Sequence, residues 1–346
     1  MSAPIAHGGG ITAAAAAFGG RPEDWLDLST GINPCPVALP DIPARAWHRL
    51  PDSYLVDEAR HAAREYYRSG AILPLPVPGT QSVIQLLPRL LRQDKQVAVT
   101  DRVAVTDNRV AVISPTYGEY VRAFASAGCA VDAVGDVTAI GAEHRLAVVV
   151  NPNNPDGRVW PAETLIALHD RMKAADGLLV VDEAFGDTDP ALSLAAHAQM
   201  LSNLIIFRSF GKFFGLAGLR LGFAIARHDI LEHFQNWLGP WAVSGPALSL
   251  AASLLRSEVF AIRHSLDERS AALQATLGTA GLRIRGGTAL FTLVADSKAS
   301  NIYTHLCRHH ILVRKFDYAP DWLRFGLTPD PVTDRRLGEA LQGFER

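Results

Sequence analysis

Short, wholly apolar runs alternate with helix-patterned segments through the middle of the chain, and this alternation restricts the fold more than any other feature. The runs at 110–114, 146–150, 178–181 and 204–208 are built largely from Val, Ile, Leu and Ala. Apolar residues at helical spacing fill 119–127 and 162–174 between them. A strand that is apolar on both faces must be covered on both, so the pattern predicts an α/β fold with a mostly parallel sheet between helices. In such sheets ligands bind outside the carboxyl ends of the strands. Polar motifs stand at those ends: Asn151-Pro-Asn-Asn-Pro-Asp-Gly157, Asp182-Glu183-Ala184-Phe185, and Ser209-Phe210-Gly211-Lys212.

The flanks differ in character. Residues 1–50 are rich in Gly and Pro around a short Ala helix at 12–18, and read as an arm. A helix is predicted at 57–68, then an extended stretch at 73–78 that runs into Gly79-Thr80-Gln81-Ser82 and a further helix at 86–91. The segment 97–114 repeats VAVTD, VAVTD and VAVIS, each a plausible strand by period-two alternation, with no function assigned. Beyond 231 come helices at 229–237 and 247–277, a Gly286-Gly287 turn, and strands at 290–294 and 311–314, which suggest a second α+β unit. The expected division is an arm at 1–48 associated with the smaller domain, a large domain at 49–235 and a small domain at 236–346.

With 346 residues, one small core is excluded. A 48% hydrophobic, 20% charged composition argues against disorder, and a net charge of -2 gives no reason to expect nucleic acid or an anionic membrane as partner. Cys35, Cys129 and Cys307 are far apart and form no disulfide framework, which suits a reducing cytoplasm. The apolar stretch 11–18 lacks a basic flank and is broken by Gly19-Gly20, so neither a signal peptide nor a bilayer span is expected.

The three strand-end motifs, taken with Gly218-Leu219-Arg220-Leu221-Gly222 and the Gly79 turn, resemble the fold-type-I pyridoxal-phosphate family, the aminotransferase-like enzymes. The resemblance implies that fold, with pyridoxal 5'-phosphate as cofactor. It implies that Lys212 carries the cofactor and that Asp182 lies beside the ring nitrogen. A lysine near a cationic ring and Arg220 has its ammonium destabilised, and a carboxylate beside the ring nitrogen makes the ring an electron sink. It further implies that Tyr117 stacks on the ring and that Asn154 bonds its phenolic oxygen. Gly79, Thr80 and Gln81 would take the phosphate at a helix start, with Ser209 and Arg220 completing the cup. Tyr54 resembles a tyrosine that reaches a neighbouring subunit's cofactor, so a homodimer is implied.

Within the family, the arm is similar to that of the branch that decarboxylates phosphorylated threonine for cobalamin biosynthesis. The similarity rests on His7-Gly8-Gly9-Gly10 and on the later stretch Leu26-Asp-Leu-Ser-Thr-Gly-Ile-Asn-Pro34. It implies that His7, Gly8 and Gly9 close over a substrate phosphate and that Asn33 lies beside the substrate carboxylate. Arg324 would pair with that carboxylate bidentately and Arg314 with the phosphate; Asn154 also borders the substrate. The expected reaction is therefore decarboxylation of a small phosphorylated amino acid, with histidinol-phosphate-type transamination as the alternative. Four positions depart from the pattern: Gly10 for Asn, Leu50 for Tyr, Phe185 for Tyr and Gly211 for Ser. His305, Cys307, His309 and His310 suggest a metal site, but no second ligand pair stands at a suitable spacing, so no metal is expected. A catalytically dead binding module would have lost Lys212 or Asp182, and no dinucleotide or P-loop glycine pattern occurs.

Overall fold

The computed structural model describes residues 7–93 and 108–344. Its larger sheet has seven strands in the order Leu75–Val77, Gly222–Ile225, Leu204–Ser209, Leu178–Asp182, Leu146–Val150, Arg109–Ile113 and Ala130–Val134. Gly222–Ile225 is antiparallel to both neighbours and every other pairing is parallel, so the mostly parallel sheet expected from the sequence carries one reversed strand. The reversal follows from a short connection: residues 210–221 leave one strand and return beside it, with Ser209 opposite Gly222.

All five residues of Leu146–Val150 are buried. Helix Ala162–Ala174 buries Leu165, Leu168 and Met172, a single stripe at helical spacing. Helix Glu119–Ser126 buries Tyr120, Ala123 and Phe124 in the same way.

A second sheet of five strands runs Leu26–Leu28, Ile311–Phe316, Ala319–Gly326, Phe291–Ala295 and Arg283–Thr288. Its first strand comes from the arm and pairs in parallel with Ile311–Val313, while the remaining pairs are antiparallel.

The single helix expected at 247–277 is two, Gly245–Leu254 and Phe260–Thr279. Ser257 breaks it, because its hydroxyl and its N–H both turn back to the Leu254 carbonyl, at 2.7 and 3.1 Å. Of the near-repeat, Arg109–Ile113 is a strand, and residues 97–107 lie outside the described part. Among the described residues, no helix is long and apolar enough to cross a membrane.

Candidate active site

Lys212 sits in a single helical turn, Phe210–Phe213, anchored by the buried rings of Phe210, Phe213 and Phe214. The turn folds tightly onto the segment after it: a Cβ on Gly211 would lie 2.6 Å from the Ala217 Cα. That contact leaves no room for a side chain at position 211. The Lys212 amine lies 4.7 Å from the centre of the Phe185 ring. Burial pushes its pKa down to about 8, the Arg324 guanidinium adds to this, Asp182 opposes it, and Arg220 adds a smaller push. The lysine is therefore poised to be a neutral nucleophile at mildly alkaline pH.

Asp182 ends strand Leu178–Asp182 and is buried. Its Oδ2 accepts from the Tyr120 hydroxyl at 2.7 Å and its Oδ1 from the Ala184 N–H at 2.9 Å. Burial raises its pKa despite both bonds. A buried carboxylate in that condition gains from a cation placed beside it.

Both groups face one cavity of about 210 Å³. Its wall also contains Gly79, Thr80, Gln81, Tyr117, Asn154, Ser209 and Arg220, so nine sequence-predicted residues converge there. Gly79 has φ +73° and caps the helix Thr80–Ile84; a Cβ on it would meet the Arg220 guanidinium at 2.7 Å. Backbone N–H groups and a cation thus converge on one small recess, a donor set that suits phosphate. The Tyr117 hydroxyl donates to Gln81 Oε1 at 3.1 Å, and burial pushes its pKa up to about 12.

A second cavity, of about 500 Å³, meets the first where Tyr117, Asn154, Phe185 and Lys212 line both. His7, Gly8, Arg314 and Arg324 belong to its wall. Arg324 is buried, and its guanidinium donates to Asn154 Oδ1 and, at 2.9 Å, to the Ser29 carbonyl. Its Nε is buried with no hydrogen-bond partner among the described residues. Burial and then Arg314 lower the Arg324 pKa to about 10, and burial lowers that of Arg314 as well. Two desolvated guanidiniums in one cavity suit a ligand with two anionic groups. Gly9 borders this region and donates its N–H to Ser29 Oγ at 2.7 Å.

Two predicted residues lie elsewhere. Asn33 is buried beneath the lysine turn: its N–H and amide donate to the Lys212 and Phe213 carbonyls at 2.8 and 2.9 Å, and its Oδ1 accepts from Cys35. Its side chain supports the turn from below. Tyr54 is exposed on helix Ser53–Tyr67, with the Arg45 guanidinium 4.6 Å over its ring. Sequence reasoning passed over Tyr120, Glu119 and Ser29. His305 Nε2 lies 2.8 Å from the Ala340 carbonyl, and no group of three metal-ligating side chains occurs among the described residues.

The family profile described as aminotransferase class I and II matches residues 23–341. A threonine-phosphate decarboxylase from Sinorhizobium sp. is 59% identical over 345 residues, covering 100% of both chains. A threonine-phosphate decarboxylase from Pseudomonas aeruginosa is 42% identical and covers 99% of this chain and 98% of its own. The solved structure of a histidinol-phosphate aminotransferase from Sinorhizobium meliloti, in complex with pyridoxal-5'-phosphate, aligns with a TM-score of 0.77. It covers 96% of this chain and 95% of its own at 18% identity, a likeness of fold.

Proposed function

Because the chain belongs to the aminotransferase class I and II family, we propose that it is a pyridoxal-phosphate-dependent decarboxylase. It converts L-threonine O-3-phosphate to (R)-1-amino-2-propanol O-2-phosphate and CO2. The observation that carries this is the meeting of the two cavities at Lys212, which puts the amine and Asp182 on one side and Arg314 and Arg324 on the other. Full-length similarity to two threonine-phosphate decarboxylases supports the choice of reaction.

When bound, pyridoxal phosphate supplies a conjugated ring that accepts the electron pair left by the departing carboxylate. Lys212 supplies the amine that holds the cofactor and, once free, the proton for the substrate Cα. Asp182, whose carboxylate accepts from Tyr120 and Ala184, would serve the ring nitrogen as its counter-charge. Gly79, Thr80, Gln81, Ser209 and Arg220 would hold the cofactor phosphate, and Tyr117 would stack on the ring. Arg324 orients the substrate carboxylate together with Asn154, and Arg314 with His7 and Gly8 takes the substrate phosphate. Phe185 and Phe291, edge to face at 5.1 Å, keep water from the amine.

The reading includes a cytoplasmic homodimer serving cobalamin synthesis. Exposed Trp47, Leu50, Tyr54 and Trp241 support an association face, because large apolar side chains grouped at a surface mark such faces. Single-turnover assay tests the reaction. Phosphothreonine should release CO2 with no requirement for 2-oxoglutarate, and histidinol phosphate should turn over little. A strict need for 2-oxoglutarate would refute decarboxylation.

A further inference from the structure

We propose that Glu119 is a positioning residue that fastens the N-terminal arm to the cofactor cradle, so that seating of the arm and placement of the cradle are one event. This rests on the reading of the site above and gives a task to a residue outside it.

Glu119 opens helix Glu119–Ser126, and its side chain is only 5% exposed. A carboxylate so buried needs hydrogen-bond partners on both oxygens, and here the partners divide by origin. Oε1 takes His7 Nε2, from the arm, at 3.0 Å, with Arg122 at 3.4 Å. Oε2 accepts from the amides of Gln81 and Gln85, at 2.8 and 3.1 Å, on the segment that begins at Gly79. The circuit closes through Tyr117, which donates to Gln81 and whose ring centre lies 5.9 Å from that of His7. Its position at a helix start favours negative charge.

A first-turn glutamate needs no partner 112 residues away, and this one has such a partner in His7. On the side of the five-stranded sheet, the arm is held by Gly9 on Ser29. The His7–Glu119 bond holds it on the opposite side, against the element that carries Gln81. Loss of Glu119 therefore frees the arm and unseats Gln81 and Tyr117 together. Loss of His7 frees the arm but leaves Gln81 and Gln85 on the carboxylate.

The test compares Glu119→Ala, His7→Ala and the double variant as holoenzymes. Hydrogen exchange of amides 9–18 reads the arm independently of turnover. Steady-state kinetics with phosphothreonine and the pyridoxal-phosphate dissociation constant read the site. Each single variant should speed arm exchange and raise KM by about tenfold, with kcat changed less than about threefold. Cofactor affinity should fall only when Glu119 is lost. The double variant should be no worse in arm exchange than the worse single, because the two residues hold the arm through one contact. Glu119→Gln, which keeps an acceptor for His7, should retain most of the arm protection. Unchanged arm exchange in Glu119→Ala, or effects on arm exchange that multiply in the double variant, would overturn the proposal. If the wild-type protein fails to bind pyridoxal phosphate or to release CO2, the reading of the site fails, while arm exchange still decides the role of Glu119.

Discussion

The hydroxyl of Tyr120 and the carboxylate of Asp182 are joined by a buried 2.7 Å hydrogen bond between residues 62 apart in the chain. Burial raises the carboxyl pKa, and this bond, with the Ala184 N–H, works against the rise. A carboxylate whose folded pKa is raised adds stability only at acid pH and loses it as pH climbs through the folded value. Asp182→Asn in the cofactor-free protein should therefore be at least as stable as wild type at pH 7. It should bind pyridoxal phosphate more weakly, by about 100-fold or more. Urea unfolding of the cofactor-free proteins and a binding titration check this; a clearly lower midpoint in Asp182→Asn would contradict it.

Lys212 should titrate near pH 8 in the cofactor-free enzyme, against about 10.4 for an unperturbed lysine. Arg324 is the main charge behind the shift after burial, so Arg324→Gln should move the midpoint upward. A lysine depressed in the folded state costs stability below about pH 8 and ceases to do so as pH rises towards its unfolded value. Lys212→Met should accordingly raise the thermal midpoint of the cofactor-free protein at pH 7 and have little effect at pH 10.5. The rate of reaction of the amine with a small aldehyde, followed against pH, gives the midpoint. A value above 10, or no response to Arg324→Gln, would refute the assignment.

Serine at position 211 should be harmful here. The added Cβ would sit 2.6 Å from backbone at Ala217, and backbone cannot swing aside as a side-chain tip does. We expect Gly211→Ser to cost about 1–3 kcal/mol and to weaken cofactor binding by shifting the lysine turn. Differential scanning calorimetry and a cofactor titration measure both; a gain in affinity would mean that the turn relaxes easily.

Arg208 is buried directly before Ser209, donating to Glu183 at 2.5 Å and to Asp187 at 2.6 Å. Arg208→Leu leaves two buried carboxylates without their cation, for a loss of about 3–5 kcal/mol. Arg208→Leu combined with Glu183→Gln and Asp187→Asn should recover much of that loss. Chemical denaturation decides, and a single variant as stable as wild type would show that water replaces the cation.

The strands Leu146–Val150, Leu178–Asp182 and Leu204–Ser209 were legible because both faces are covered, which leaves an unbroken apolar run. Ala130–Val134 was not, since it is an edge strand with exposed positions and Asp132 at its centre. Leu75–Val77, which carries Pro76 as an edge strand can, falls within the extended stretch expected at 73–78. The site residues that stand in compact motifs at strand ends were recoverable in the same way. Tyr120 and Glu119 were not, because an amphipathic helix accounts for both until the folded chain brings Asp182 and His7 to them. Asn33 sits in a legible motif, yet only the fold reveals that its amide is spent on the lysine turn.

Leu26–Leu28 lies beside Ile311–Val313, which has a consequence for biosynthesis. During translation the arm emerges long before Ile311–Val313, the strand it joins. Contacts of such long sequence separation form late and slowly. The nascent arm must stay unpaired through that interval, and the pocket that includes His7 can be completed only after the ribosome has passed Arg324. Truncations that remove Ile311–Val313 should yield chains in which residues 7–30 remain open to protease.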